Sequence, residues 1–73
     1  PAADAFLRAL LEQNAAQATS AVAHSGQSED MLVDTINEAL FDLVGDIVIE
    51  FSAAGPQIIE DYEADVRGYL DHE

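Results

Sequence analysis

The sequence predicts a small, mostly helical α+β domain: three helices, then a β-hairpin, then a C-terminal helix. Three observations predict it. Apolar residues recur with a helical period up to Val44, the period drops to two over residues 46 to 51, and a helical period returns after a turn-rich break. Three helices followed by a hairpin is a winged-helix-like order, a matter of connectivity that carries no function with it.

The first helix is predicted over residues 3 to 12. Phe6, Leu7, Leu10 and Leu11 make one apolar stripe, and Asp4 in the first turn suits the helix dipole. A second helix follows over residues 14 to 24, with Asn14 as its N-cap. Its apolar content is mostly alanine plus Val22, so it is expected to pack closely and bury little. Gly26 suits a left-handed cap. The third helix, residues 29 to 44, has Ser28 as N-cap and Glu29 and Asp30 in its first turn. Leu32, Val33, Ile36, Leu40, Leu43 and Val44 form its apolar face, Phe41 lies at the margin, and Gly45 ends it.

Residues 46 to 51 then alternate as a strand does. Ile47, Ile49 and Phe51 are expected to face the helices, with Val48 and Glu50 on the other side. Ser52 to Pro56 reads as a loop of about five residues, and residues 57 to 60 as the returning strand. Asp61 is the expected cap of a last helix over residues 62 to 70, whose apolar positions are Tyr62, Val66, Tyr69 and Leu70. The predicted core is Phe6, Leu10, Leu32, Ile36, Leu40, Ile49 and Val66.

The chain has 73 residues, enough for a single domain spanning 1–73 with one modest core. It opens on Pro1, not Met, with a helical pattern almost at once, and is expected to be a piece of a longer protein. There is no Cys, which removes disulfides and thiolate chemistry. Fifteen Asp and Glu face only Arg8 and Arg67, a net charge of -13. Phosphate binding needs clustered Lys and Arg, so nucleic acid and anionic membranes are excluded as partners. The 49% hydrophobic content excludes a disordered acidic tail. Without a membrane-length apolar run or a signal-peptide layout, a soluble, cytoplasmic protein is expected. The edges of the hairpin could pair with another chain, but Glu50 and Glu60 discourage self-pairing, so a monomer or weak dimer is expected.

Two acidic clusters stand out. Asp30, Asp34, Glu38 and Asp42 are spaced by four and stack along one helix face, which is either a solvated surface or a docking face for a basic partner or a divalent cation. Glu60, Asp61, Glu63 and Asp65 offer an alternative function, the sensing or buffering of a divalent metal. The calcium-loop spacing there lacks its Gly, and helix capping by Asp61 with Glu63 on the dipole accounts for the same residues. His24 and His72 have no ligand-spaced partner. No nucleophile-elbow Ser and no Gly-rich phosphate loop is present, so no enzymatic activity and no cofactor are expected.

From residue 32 to residue 61 a string of positions stands out: Ile36-Asn37-Glu38, Phe41-Asp42, Gly45-Asp46, Ile49-Glu50, then Ile58 and Ile59. In these the chain resembles the TerB-C domain, the C-terminal module of TerB-related tellurite-resistance proteins. It departs from that family's pattern in having no Trp between the first two helices and a polar stretch, Gln27 to Asp30, before the third. The resemblance implies a non-catalytic accessory domain of bacterial stress-response or phage-defence proteins, one that accompanies other domains and mediates contacts. Ile36 and Phe41 are expected to anchor the third helix and Asn37 to bond backbone near the hairpin. Gly45 would permit the helix-to-strand turn, Asp46 would cap it, and Ile49 would return to the core. Glu38, Asp42 and Glu50, with Asp34, have no apolar role and are the candidates for an interaction surface.

Overall fold

In the computed structural model, which describes residues 1–72, the chain runs α1 (Ala2–Leu11), α2 (Ala15–Ser25), α3 (Glu29–Val44), β1 (Ile49–Ser52), β2 (Gly55–Ile58), a 3-10 turn (Glu60–Tyr62) and α4 (Glu63–Asp71). This is the predicted α+β order.

α2 and α3 form where their ends are locally satisfied. The Asn14 side chain accepts a hydrogen bond from the Gln17 N–H at 3.1 Å, and Ser28 Oγ accepts one from the Met31 N–H at 3.2 Å. Gly45 closes α3 at φ 75, donating its N–H to the Phe41 carbonyl. The α1–α2 turn has no glycine: Gln13 sits at φ 55, the only non-glycine residue with positive φ among the described residues. Asn14 donates its N–H to the Ala9 carbonyl at 2.9 Å and holds that turn closed.

α1 lies at the centre, packing on α2, β2 and α4. It buries Phe6, Leu7 and Ala9 completely or nearly so. Arg8 reaches across to α4, its Nη2 donating to the Leu70 carbonyl at 3.2 Å. From α3 the core takes Leu32, Val33, Ile36 and Leu40, from the hairpin region Val48, Ile49 and Ile58, and from α4 Val66 and Leu70. α2 buries only Ala21, in keeping with its alanine-rich composition. Of the predicted core, Leu10 is only half-buried. Phe41 and Leu43 are 51% and 47% exposed, so α3 is anchored by Ile36 without help from Phe41.

The hairpin differs most from expectation. β1 begins at Ile49, three residues later than the alternating pattern suggests. The reason lies in two side chains. Asp46 Oδ1 accepts the Ile47 N–H at 2.7 Å. Asn37 Oδ1 accepts the N–H groups of both Val48 and Ile49, each at 2.9 Å. Bonds on successive residues bend the backbone out of strand geometry, so Val48 and Ile49 are adjacent and both buried. Ile47 and Phe51, expected to share the packed face of Ile49, are 43% and 53% exposed.

The loop is also shorter than the five residues expected. Ser52 pairs with Gly55 across Ala53 and Ala54, and Pro56 lies within β2 opposite Phe51. Neither alanine has positive φ, and Gly55 at φ 108 absorbs the reversal as a bulge glycine would. Ile59 donates its N–H to the Val48 carbonyl, which makes alternate cross-strand pairs hydrogen-bonded. Pro56 therefore falls at a non-bonded pair, where its missing N–H costs no ladder bond. The last helix is not capped by Asp61. The 3-10 turn occupies Glu60–Tyr62 instead, and α4 starts at Glu63 without a side-chain cap.

Candidate functional site

α3 presents two faces. Ile36 and its apolar neighbours point inward, while Asp30, Asp34, Glu38 and Asp42 are all exposed. At 100° per residue the same outer arc also holds Met31 and Phe41, which are 58% and 51% exposed. The solvent face is thus two large apolar side chains set among four carboxylates. Met31 is an addition that the structure makes to the candidate residues; its helical spacing from Asp34 and Glu38 is the one sign of it in the sequence.

Glu50 is not part of that face. It accepts a hydrogen bond from Gln57 Nε2 at 3.2 Å across the hairpin. With Glu60 and Glu63 it borders an open groove of about 720 Å³ between the hairpin and the α1–α2 turn. Leu10, Leu11, Ala15, Ala18, Pro56 and Ile58 supply the groove's apolar lining. No Lys or Arg lines it, and the carboxylates of Glu60 and Glu63 make no hydrogen bond or ion pair among the described residues.

The other two acids of the second cluster do not line the groove. Asp61 and Asp65 act on Tyr62, whose hydroxyl donates to Asp46 Oδ2 at 2.9 Å. That hydrogen bond, more than anything else, holds the phenol above its ordinary value of 10.0. Partial desolvation and the negative charges of Asp46, Asp61 and Asp65 push the same way. Glu60 and Glu63 therefore line the groove, and Asp61 and Asp65 do not. Among the described residues no three His, Asp or Glu side chains are placed to hold a metal ion.

The residues of the structural motif fall around the helix-to-hairpin turn. Ile36 and Ile49 are buried, Asn37 bonds the backbone of Val48 and Ile49, Gly45 takes the left-handed turn, and Asp46 receives the Ile47 N–H. The two histidines are exposed. Each donates from Nδ1 to a carbonyl four residues back, His24 to Ser20 and His72 to Gly68. No helix among the described residues is long and apolar enough to cross a membrane.

Searches of curated proteins and of solved structures return no match. The family model of the TerB-C domain matches residues 1–67. That span takes in α1, the α3 face, the Asn37-held turn, the whole hairpin and the start of α4. The chain belongs to the TerB-C domain family.

Proposed function

We propose that this domain is a non-catalytic docking module of a TerB-related bacterial stress-response protein of the tellurite-resistance type. Its partner is another domain of the same protein or a separate protein, and it carries basic side chains. The domain works in the cytoplasm as a monomer or weak dimer, independently of nucleic acid, membranes or cofactors. Membership of the TerB-C family supports the setting.

The observation that carries the docking role is the outer face of α3. Phe41 and Met31 are large, apolar and more than half exposed on a helix that already has a well-filled inner face. Asp34 and Glu38 lie between them along the helix and Asp42 stands beside Phe41, with no cation on the helix. Exposed apolar anchors bordered by charged side chains are the composition of a protein-binding patch. The uncompensated carboxylates add steering and selectivity for a basic surface.

The test works with the partner still unidentified. A photo-crosslinking amino acid is placed at Phe41 of the full-length protein in its bacterium, and as a control at exposed Thr19 on α2. A discrete adduct from position 41 and none from position 19 supports the α3 face. Equal adducts from both, or none from either, sinks it. Cells carrying Phe41→Ser with Glu38→Lys should also lose tellurite tolerance as a deletion does; full tolerance in those cells would remove the stress-response assignment.

A further inference from the structure

We infer that the groove between the hairpin and the α1–α2 turn is a second docking site, and that its occupant is a short peptide segment combining spaced Arg or Lys side chains with an apolar anchor. The inference rests on the reading of this domain as a binding module, and names a different surface and a defined ligand chemistry.

The groove has the two components such a segment needs. Part of its lining is apolar: Leu10 and Leu11 end α1 only half-buried, and Ala15, Ala18 and Pro56 are small enough to leave the space open, beside the polar Gln13, Asn14 and Gln57. At about 720 Å³ it lies within the roughly 300–1,000 Å³ of ordinary ligand clefts. Its rim is anionic: Glu50 comes from β1, Glu60 from the 3-10 turn and Glu63 from α4.

The arrangement of these carboxylates decides between ligand classes. They come from three different elements and do not converge, and no triad of acidic or His side chains among the described residues could hold a metal ion. A point cation would gain one carboxylate at a time. A chain with cations at intervals can meet several at once, and guanidinium groups can do so bidentately. The apolar part of the lining adds what a polyamine could not use. Neither arginine of the chain lines the groove, so nothing within it neutralises the rim.

The test uses the 73-residue chain with a fluorescein-labelled peptide of Arg and Leu in alternation. Two competitors are included, the same peptide with Ser for every Leu, and spermine. Anisotropy is read at about 0.15 M salt, where the Debye length is about 8 Å and diffuse attraction is screened. Backbone amide shifts locate the bound peptide. We expect saturable one-to-one binding, with shifts at Gln13, Ala15, Ala18, Gln57 and Glu60. Glu60→Gln combined with Glu63→Gln should weaken it about tenfold, as loss of two charge contacts does. Ala15→Trp, which fills the groove without changing charge, should weaken it as much, and Asp71→Asn at the end of α4 should leave it unchanged. Equal binding of the Ser peptide, or full competition by spermine, would reduce the site to simple charge attraction and overturn the inference. Shifts confined to Asp34, Glu38 and Phe41 would overturn it too, while leaving the α3 docking role standing. Groove binding alongside failed crosslinking at position 41 would do the opposite, supporting the groove and removing the α3 role.

Discussion

Asn37 serves β1 as a one-residue neighbouring strand: its Oδ1 accepts the Ile49 N–H at 2.9 Å and its Nδ2 donates to the Ile49 carbonyl at 3.1 Å. Ile49 pairs with Ile58 at a position where both of its backbone groups turn away from β2. An unpartnered strand edge would leave them bare, and at 1% exposure Ile49 is out of water's reach. One carboxamide on α3 thus welds helix to hairpin and closes part of the free edge.

Asn37→Ala should be among the most damaging polar substitutions in the domain. It leaves the Val48 and Ile49 N–H groups and the Ile49 carbonyl without partners, at about 1–3 kcal/mol for each group that water cannot reach. Total stability for this length is about 4–11 kcal/mol. Asn37→Asp keeps the acceptor but sets a carboxylate against the Ile49 carbonyl, and should also destabilise. Urea unfolding measures both; a shift for Asn37→Ala under about 0.5 kcal/mol would mean these bonds contribute nothing net.

Ile36→Ala and Phe41→Ala should separate by several-fold although both shorten an apolar side chain of α3. Ile36 is 3% exposed and its truncation should cost about 2–5 kcal/mol. Phe41 is half-exposed, and its truncation should cost well under about 1 kcal/mol. Equal losses in thermal melts would place Phe41 in the core after all.

Glu38→Lys should stabilise the fold while damaging any docking through α3. The new ammonium stands four residues from both Asp34 and Asp42, replacing two repulsions with two attractions. The gain should be about 0.5 kcal/mol, or about 2–4 °C in Tm. Raising salt to about 0.3 M should raise the wild-type Tm by screening the net charge of -13, and should help the Lys variant less. A wild-type Tm that falls with salt would show attractive pairs to dominate.

Alkaline pH should weaken the domain through Tyr62. Its phenol is held above 10.0 in the folded state, chiefly by donating to Asp46. Below pH 10 the phenol is neutral in both states and the bond is fully present. As pH rises past 10 the unfolded chain ionises first, so stability falls until the folded phenol ionises as well. Tyr62→Phe should flatten this part of the pH profile, and Asp46→Asn should bring the tyrosinate absorbance transition of Tyr62 back toward 10. An unchanged transition in Asp46→Asn would show that the hydrogen bond is not what holds the proton.

Gln13→Gly should stabilise the α1–α2 turn. Gln13 holds φ 55, where a side chain costs about 1–2 kcal/mol and glycine nothing steric. Glycine's greater freedom in the unfolded chain takes back part of this, so a net gain of about 0.5 kcal/mol is expected. A lower Tm would mean that the Gln13 side chain contributes contacts of its own.

The sequence by itself determined the helices and their order, and the stops of α2 and α3. Asn14 and Ser28 each cap an N–H three residues on, and Gly26 and Gly45 take left-handed turns at once after the helices they end. These are local bonds, and short-range spacing carries the information. The same holds for the inner face of α3 and for the net charge. The tertiary structure alone decided where the hairpin starts, because Asn37 takes hold of backbone 11 and 12 residues away and Asp46 meets Tyr62 16 residues on. It decided that Val48 is buried while Phe51 and Phe41 are not, since the core ends before it reaches them. It also moved Glu50 from the company of the α3 acids to that of Glu60 and Glu63. Alternation along a strand says which residues share a side; what stands opposite that side is fixed only when distant elements pack, and there the buried apolar area and the pairing of backbone groups outweigh the local pattern.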